Sequence, residues 1–362
     1  MQSIIDQNGT AINYMGVSDV LKDGDGIING VEVTDSFTGE KRKIYAKAVV
    51  NATGVFTDDI LNMNDPEHQE VVVSSQGIHL VVDRSFLPGD DALMIPKTSD
   101  GRVLFAVPWH HKVVIGTTDT LMEKESAEPR PLEQEIDFVL ETANAYLAKP
   151  LTREDVLAVY AGLRPLAAPK DHDKNTKEVS RGHKIMVGDT GLITIIGGKW
   201  TTYRQMAEDI VDTVIEVGAL PKTKSKTHHF SIHGNIPKTQ VNRNSELYVY
   251  GADIPAIKKL QQQNPRYAKK IHPKYTATFA EVAWAISHEM AQTVEDILAR
   301  RIRFLFTDAR VAIDAARPVA EFMAEEMNLP SEWVEHQVAE FTTLAQGYLL
   351  VPYTAQNQTS DV

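Results

Sequence analysis

The spacing of apolar residues changes once along this chain, and the change constrains its fold more than any other feature. Up to about residue 198 they alternate with polar residues or gather in short runs, as in "VVVSSQGIHLVVD", "RVLFAVPW" and "KVVIGTTDT". A repeat of two puts successive side chains on opposite faces of a strand. From about residue 234 they fall three and four apart, in "TFAEVAWAISHEMAQTVEDILARRIRF" and "DARVAIDAARPVAEFMAEEM", which is the spacing of one helix face. A sheet-bearing part therefore precedes a helical C-terminal domain, and the fold class reads as α/β with mixed α+β character. Residues 11–51 spell a small antiparallel meander around the turns "KDGDG" and "FTGEKRK", ending in a short buried strand at 48–52. Helices are expected at 131–147 and 201–217, and the polar bridge "PKTKSKTHH" separates the second from the helical domain.

With 362 residues, 43% of them hydrophobic, the chain can bury cores for two domains or three lobes. Its 37 Lys and Arg against 49 Asp and Glu leave a net charge of −12. That is the wrong sign for a nucleic-acid binder, whose phosphate contacts need clustered cations. The absence of cysteine excludes disulfides, thiolate metal sites and cysteine nucleophiles, and agrees with a reducing compartment. No apolar run reaches the roughly 18–20 residues that span a bilayer, and "MQSIIDQNGT" has no signal-peptide pattern. The expectation is a cytoplasmic protein, at most peripheral on the inner face of the cytoplasmic membrane. Metal binding is not expected, because His110–His111 and His228–His229 are adjacent pairs and neighbours on a strand point to opposite faces. Arg300, Arg301 and Arg303 follow an amphipathic run, where surface ion pairing outweighs contact with a lipid face.

Two glycine-rich stretches invite a cofactor reading. In "DGDGIING" the third glycine of a dinucleotide fingerprint is replaced by Asn29, and no helix follows to present its N-terminus. It reads as a hairpin turn. "GLITIIGGKWTTYR" differs, because an apolar strand runs into Gly197–Gly198 and then into an amphipathic helix. Such a turn lets a flat ligand approach the backbone, with Thr201 or Thr202 capping a helix whose positive end faces the same spot. A plain tight turn carrying an exposed lysine is the competing reading.

Its company decides between them. "VVNATGVFTDDI" (49–60), "SSQGIHLVV" (74–82), "FAVPWHHKVVIGTTDT" (105–120), "VYAGLRPLAAP" (159–169), "SRGHKI" (180–185) and the glycine turn stand in that order. The ordered set resembles FAD-dependent glycerol-3-phosphate dehydrogenases and oxidases, of the D-amino-acid-oxidase-like flavoprotein class. The likeness covers residues 10–217 and continues more loosely into the helical part. It implies a remnant of an FAD-binding domain at 1–69, a mixed-sheet substrate domain at 70–198, a flavin-facing helix and linker at 199–227 and a helical domain at 228–362.

For the site, the resemblance implies that Arg164 and Arg181 bind the substrate phosphate. Lys199 would serve substrate and flavin together, and His79 would take the hydroxyl proton. FAD would lie along Asn51, Ala52, Thr53 and Gly54 on one side and Gly197, Gly198, Lys199, Trp200, Thr201 and Thr202 on the other. The implied reaction is oxidation of sn-glycerol 3-phosphate to dihydroxyacetone phosphate, with quinone or oxygen as acceptor; a homodimer and peripheral membrane contact are compatible with it. The family's pyrophosphate-binding GxGxxG would precede Met1, so the chain is expected to correspond to the C-terminal two-thirds of such an enzyme and, alone, to bind FAD weakly or not at all. Two alternatives stand: a flavoprotein acting on an amino acid or another hydroxy acid, and a non-catalytic binding fragment. The two arginines with Lys199 favour phosphate over a lone carboxylate.

Overall fold

Aspartates fix the first turns. Asp23 accepts from the backbone N–H of Asp25 and Ile27, each at 3.0 Å, and Asp35 accepts from Phe37 and Thr38 at 2.8 and 2.9 Å, so each side chain closes its own hairpin. The computed structural model describes residues 1–96, 98, 101–168, 182–243 and 245–353. A short helix α1 (Gln2–Asp6) leads into the meander β1 (Met15–Lys22), β2 (Ile28–Asp35) and β3 (Lys41–Tyr45), paired in that order. Its free edge carries Lys41, Arg42 and Lys43, charges that discourage edge-to-edge pairing.

Next come β4 (Val50–Asn51), α2 (Thr57–Asn64), β5 (Val72–Asp83), β6 (Leu93–Ile95), β7 (Leu104–Trp109), β8 (Lys112–Gly116), β9 (Thr120–Met122), α3 (Glu133–Asn144) and β10 (Val156–Ala167). Strands β10, β5, β8, β7 and β6 lie side by side in one antiparallel sheet, and β9 pairs with β5. Along β5 the alternation is plain. Ile78, Leu80 and Val82 face the core made with Ile136, Val139 and Ala143 of α3, whereas Val81 joins the core of the helical region. Ser75, Gly77 and His79 share the parity of Val81, hence its face.

β11 (His183–Val187) and β12 (Ile193–Gly197) leave that sheet and assemble with β4, which runs parallel to β12 with Asn51 opposite Thr194. The division at residue 198 thus falls beyond two strands that sit with the N-terminal β4. Parallel strands buried on both faces read as continuous apolar runs, and "LITII" is one. After α4 (Tyr203–Val217) come α5 (Ile254–Gln263), α6 (Phe279–His288), a π-helical turn at Asp296–Arg301, α7 (Phe304–Thr307), α8 (Ala309–Met327) and α9 (Ser331–Gln346). Ala312, Ala315, Ala316, Val319 and Met323 of α8 are fully buried, as the helical spacing requires. No helix among the described residues is long and apolar enough to cross a membrane.

Helix α6 starts with a capping box in which Glu281 accepts from the Thr278 N–H at 2.7 Å. Glu281 is buried, and burial pushes its carboxyl up to about 7. Because the folded state favours the protonated form, this group's stabilisation is complete below the ordinary carboxyl range and is lost as pH rises through 7. Glu281→Gln keeps the acceptor for the Thr278 N–H without the charge. Between pH 4 and 8 the variant should gain about 3 kcal/mol on the parent, at roughly 1.4 kcal/mol per pH unit of displacement, read by denaturant unfolding at both pH values. A parallel pH dependence of the two proteins would refute it.

Candidate functional site on the β5–β10 face

Antiparallel pairing of β10 with β5 sets Arg164 opposite Ser75 and Tyr160 opposite His79. All four side chains therefore share the face away from α3. Gly77 lies between Ser75 and His79, and a Cβ there would overlap the Arg164 guanidinium. The arginine can lie flat across the strand only because position 77 has no side chain. Its Nη2 donates to Thr117 Oγ1 at 3.2 Å and its Nη1 stands 3.7 Å from Asp119 Oδ1. Ser75 Oγ in turn donates to Asp119.

His79 is stacked on Tyr160 with ring centroids 5.3 Å apart, and Phe306 of α7 meets Tyr160 edge-on at 5.2 Å. The helical region thereby closes one end of the face. Burial, and then the Arg164 charge, push the His79 imidazole down to about 4. It is neutral at physiological pH and has a lone pair to offer.

The other end leads to the two glycine turns. β4 and β12 are parallel, so the segments that follow them, Ala52–Gly54 and Gly198–Trp200, leave the same sheet edge, the edge where open α/β sheets take ligands. Gly197 and Gly198 have φ of 71° and 90°, and a Cβ on Gly197 would lie 3.8 Å from Ala167 at the end of β10. Lys199, Thr201 and Thr202 are exposed, and Trp200 is 87% exposed. Neither threonine caps the helix as expected. The chain enters α4 through a tight turn at Trp200–Thr202, and Thr202 Oγ1 instead donates back to the Lys199 carbonyl at 3.1 Å. No side chain caps the turn or α4 among the described residues, and the Thr202 and Tyr203 N–H groups bond back to the carbonyls of Lys199 and Trp200.

Asn51 is buried and works within its own turn: its amide donates to the Thr57 carbonyl at 3.0 Å, and its oxygen accepts from Thr53 Oγ1 at 2.7 Å. It shapes the NATG turn, in which Ala52 and Thr53 are exposed.

Behind the face stands a support that the motif reading did not single out. Glu135 of α3 is buried and accepts from Thr118 Oγ1, Thr120 Oγ1, Gln76 Nε2 and the Leu132 N–H at 2.7, 2.6, 2.7 and 3.0 Å. Along "GTTDT" the roles alternate: Thr117 and Asp119 reach Arg164, while Thr118 and Thr120 reach Glu135. Ser75 and Gln76 divide in the same way.

Arg181 lies outside the described residues. His110 and His111 are not strand positions but the turn between β7 and β8, with φ of 44° and 59°; a two-residue hairpin whose turn needs positive φ took residues without the Asn–Gly signature. The basic cluster is partly interior. Arg301 pairs with buried Asp296 at 3.2 Å, Arg300 pairs with Glu295 at 2.7 Å, and the Arg303 guanidinium sits 6.0 Å from the Trp109 ring centre. A cavity of about 930 Å³ between the first fourteen residues and the helical region is lined by Tyr14, Tyr250, Glu281, Asp296 and Arg301. None of the proposed site residues lines it.

Comparison with known proteins follows the same division. Residues 1–204 match a family described as FAD dependent oxidoreductase, and residues 189–334 match the C-terminal domain of alpha-glycerophosphate oxidase. A mitochondrial glycerol-3-phosphate dehydrogenase of Schizosaccharomyces pombe is 34% identical over 386 residues, covering 89% of this chain and 58% of the relative. One from Bos taurus is 32% identical over 363 residues, covering 93% and 49%. The chain thus spans about half the length of the curated relatives it matches. The glycerol-3-phosphate dehydrogenase of Bacillus halodurans, solved with FAD, superposes with a TM-score of 0.83 at 28% identity over 98% of this chain and 73% of its own. These relatives overturn the cytoplasmic expectation, since the yeast and bovine proteins are named as mitochondrial. Composition and the lack of an apolar span do not encode a cellular address.

Proposed function

The chain belongs to the FAD dependent oxidoreductase family, and from that premise we propose that it oxidises sn-glycerol 3-phosphate to dihydroxyacetone phosphate, with electrons passing on to a quinone or to oxygen. One juxtaposition supports the reading above others. Arg164 lies over Gly77 on the His79 face, near the end of β10 that abuts Gly197.

FAD, when bound, supplies the acceptor for the hydride that leaves carbon 2. Arg164 holds the phosphate through its planar fork, which matches paired phosphate oxygens. His79 accepts the hydroxyl proton at a ring nitrogen as that hydride departs. In the ligand-free protein burial and Arg164 keep the imidazole neutral. A phosphate paired with Arg164 offsets the second influence and makes His79 more basic as substrate arrives. Lys199 steadies negative charge on the substrate oxygen. Asn51, Ala52, Thr53 and Gly54, with Gly197, Gly198, Trp200, Thr201 and Thr202, form the cofactor side, and Arg181 is proposed as a second phosphate ligand.

A substrate panel tests this. In an FAD-loaded protein carrying this chain downstream of an intact nucleotide-binding segment, kcat/KM for sn-glycerol 3-phosphate should exceed that for glycerol by about 10³-fold or more, because a site built around a fixed cation discriminates strongly against a substrate lacking its partner. Comparable turnover of glycerol, or preference for an amino acid or an unphosphorylated 2-hydroxy acid, would overturn the proposal.

A further inference from the structure

Arg164 is a long side chain on an open face, and a flexible cation binds phosphate poorly unless something fixes its fork. The structure supplies that fixture from a segment more than forty residues away in sequence. Asp119 Oδ1 stands 3.7 Å from Nη1, Thr117 Oγ1 accepts from Nη2 at 3.2 Å, and Ser75 Oγ fastens Asp119 from β5. Neighbouring Thr118 and Thr120 are tied to buried Glu135 on the opposite side, so the β8–β9 connection that carries the carboxylate is anchored from both faces. Ser75 is itself fully buried.

We propose that Asp119, anchored by Ser75, is a positioning residue that orients the Arg164 guanidinium over Gly77 for a phosphate monoester dianion. Resting on the function proposed above, the inference adds to it the residues that set affinity for the phosphate end without touching it. Asp119 carries the same charge as the ligand, so a merely proximal carboxylate would repel phosphate, and its removal would tighten binding. An orienting carboxylate gives the opposite sign.

The experiment is calorimetric titration with sn-glycerol 3-phosphate of the parent protein, Asp119→Ala, Ser75→Ala, Arg164→Ala and Asp119→Ala/Arg164→Ala. Asp119→Ala should weaken binding about fivefold, and Ser75→Ala about twofold, in keeping with loss of an ion pair and of its anchor. In the Arg164→Ala background Asp119→Ala should have no further effect, because the coupling runs through the arginine. Unchanged or tighter binding by Asp119→Ala, or an equal loss with and without Arg164, would overturn the proposal.

A ligand-free readout separates this from the function it rests on. The Arg164 Nε–H resonance should be sharp and slowly exchanging in the parent, and broadened in Asp119→Ala and Ser75→Ala. If the parent fails to bind sn-glycerol 3-phosphate while the resonance behaves this way, the substrate assignment falls and the positioning stands. If the resonance is unaffected, the positioning falls. Asp119→Asn, which keeps the shape and one acceptor, replaces Asp119→Ala should the latter not fold.

Discussion

In the reaction proposed above, Lys199→Ala is expected to lower kcat about 10²-fold or more with a smaller change in KM, by analogy with the loss of one oxyanion donor. Lys199 stands in the turn after β12, exposed in the ligand-free protein. An exposed ammonium contributes little in water, but its field strengthens once cofactor and substrate exclude solvent from the turn. Its contribution is largest while charge develops on the oxygen, so the loss falls on the chemical step. In the proposed reaction Arg164 meets the phosphate, which is unchanged by the chemistry. Arg164→Ala should chiefly raise KM, with some loss of kcat because remote binding energy also orients carbon 2. Steady-state kinetics of the two variants check the assignment. A pure KM effect for Lys199 with a pure kcat effect for Arg164 would place the phosphate at the wrong end of the site.

Glu135→Ala destabilises the fold by roughly 3–5 kcal/mol, because it strands several buried donors at once and opens a cavity under β5. Those donors belong to Gln76, Thr118, Thr120 and the start of α3. Glu135→Gln should be milder, since it retains one carbonyl oxygen while turning an amide N–H₂ toward a group that also donates. Denaturant unfolding of both variants checks the order. A loss below about 1 kcal/mol for Glu135→Ala, the range of a single surface hydrogen bond, would show that the network is not what holds the GTTDT segment.

Much of this is legible in the sequence itself. The period of two in "SSQGIHLVV" places Ser75, Gly77 and His79 on one face, and "LITII" followed by paired glycines announces a buried strand turning into a helix. The fold agrees, with β5 at Val72–Asp83 and α4 opening at Tyr203. What the text conceals are relations between distant residues. Nothing local to "GLRPL" points to Thr117 or Asp119 as partners of Arg164, because antiparallel pairing brings them together across the sheet. Glu135 looks like any first-turn acid of an amphipathic helix, and its burial depends on the strands packed over it. The histidine pair at 110 and 111 departs from the strand expectation for a different reason: a tight hairpin imposes positive φ on residues that carry no turn signature. Cellular address was beyond the sequence pattern altogether.

Anaerobic mixing of an FAD-loaded protein carrying this chain downstream of an intact nucleotide-binding segment with one equivalent of sn-glycerol 3-phosphate tests the central claim most directly. The account predicts that the oxidised-flavin absorbance bleaches in a single turnover, with one dihydroxyacetone phosphate formed per flavin and no bleaching by glycerol. A flavin that stays oxidised with sn-glycerol 3-phosphate, yet is reduced by an amino acid or a hydroxy acid without phosphate, would contradict it.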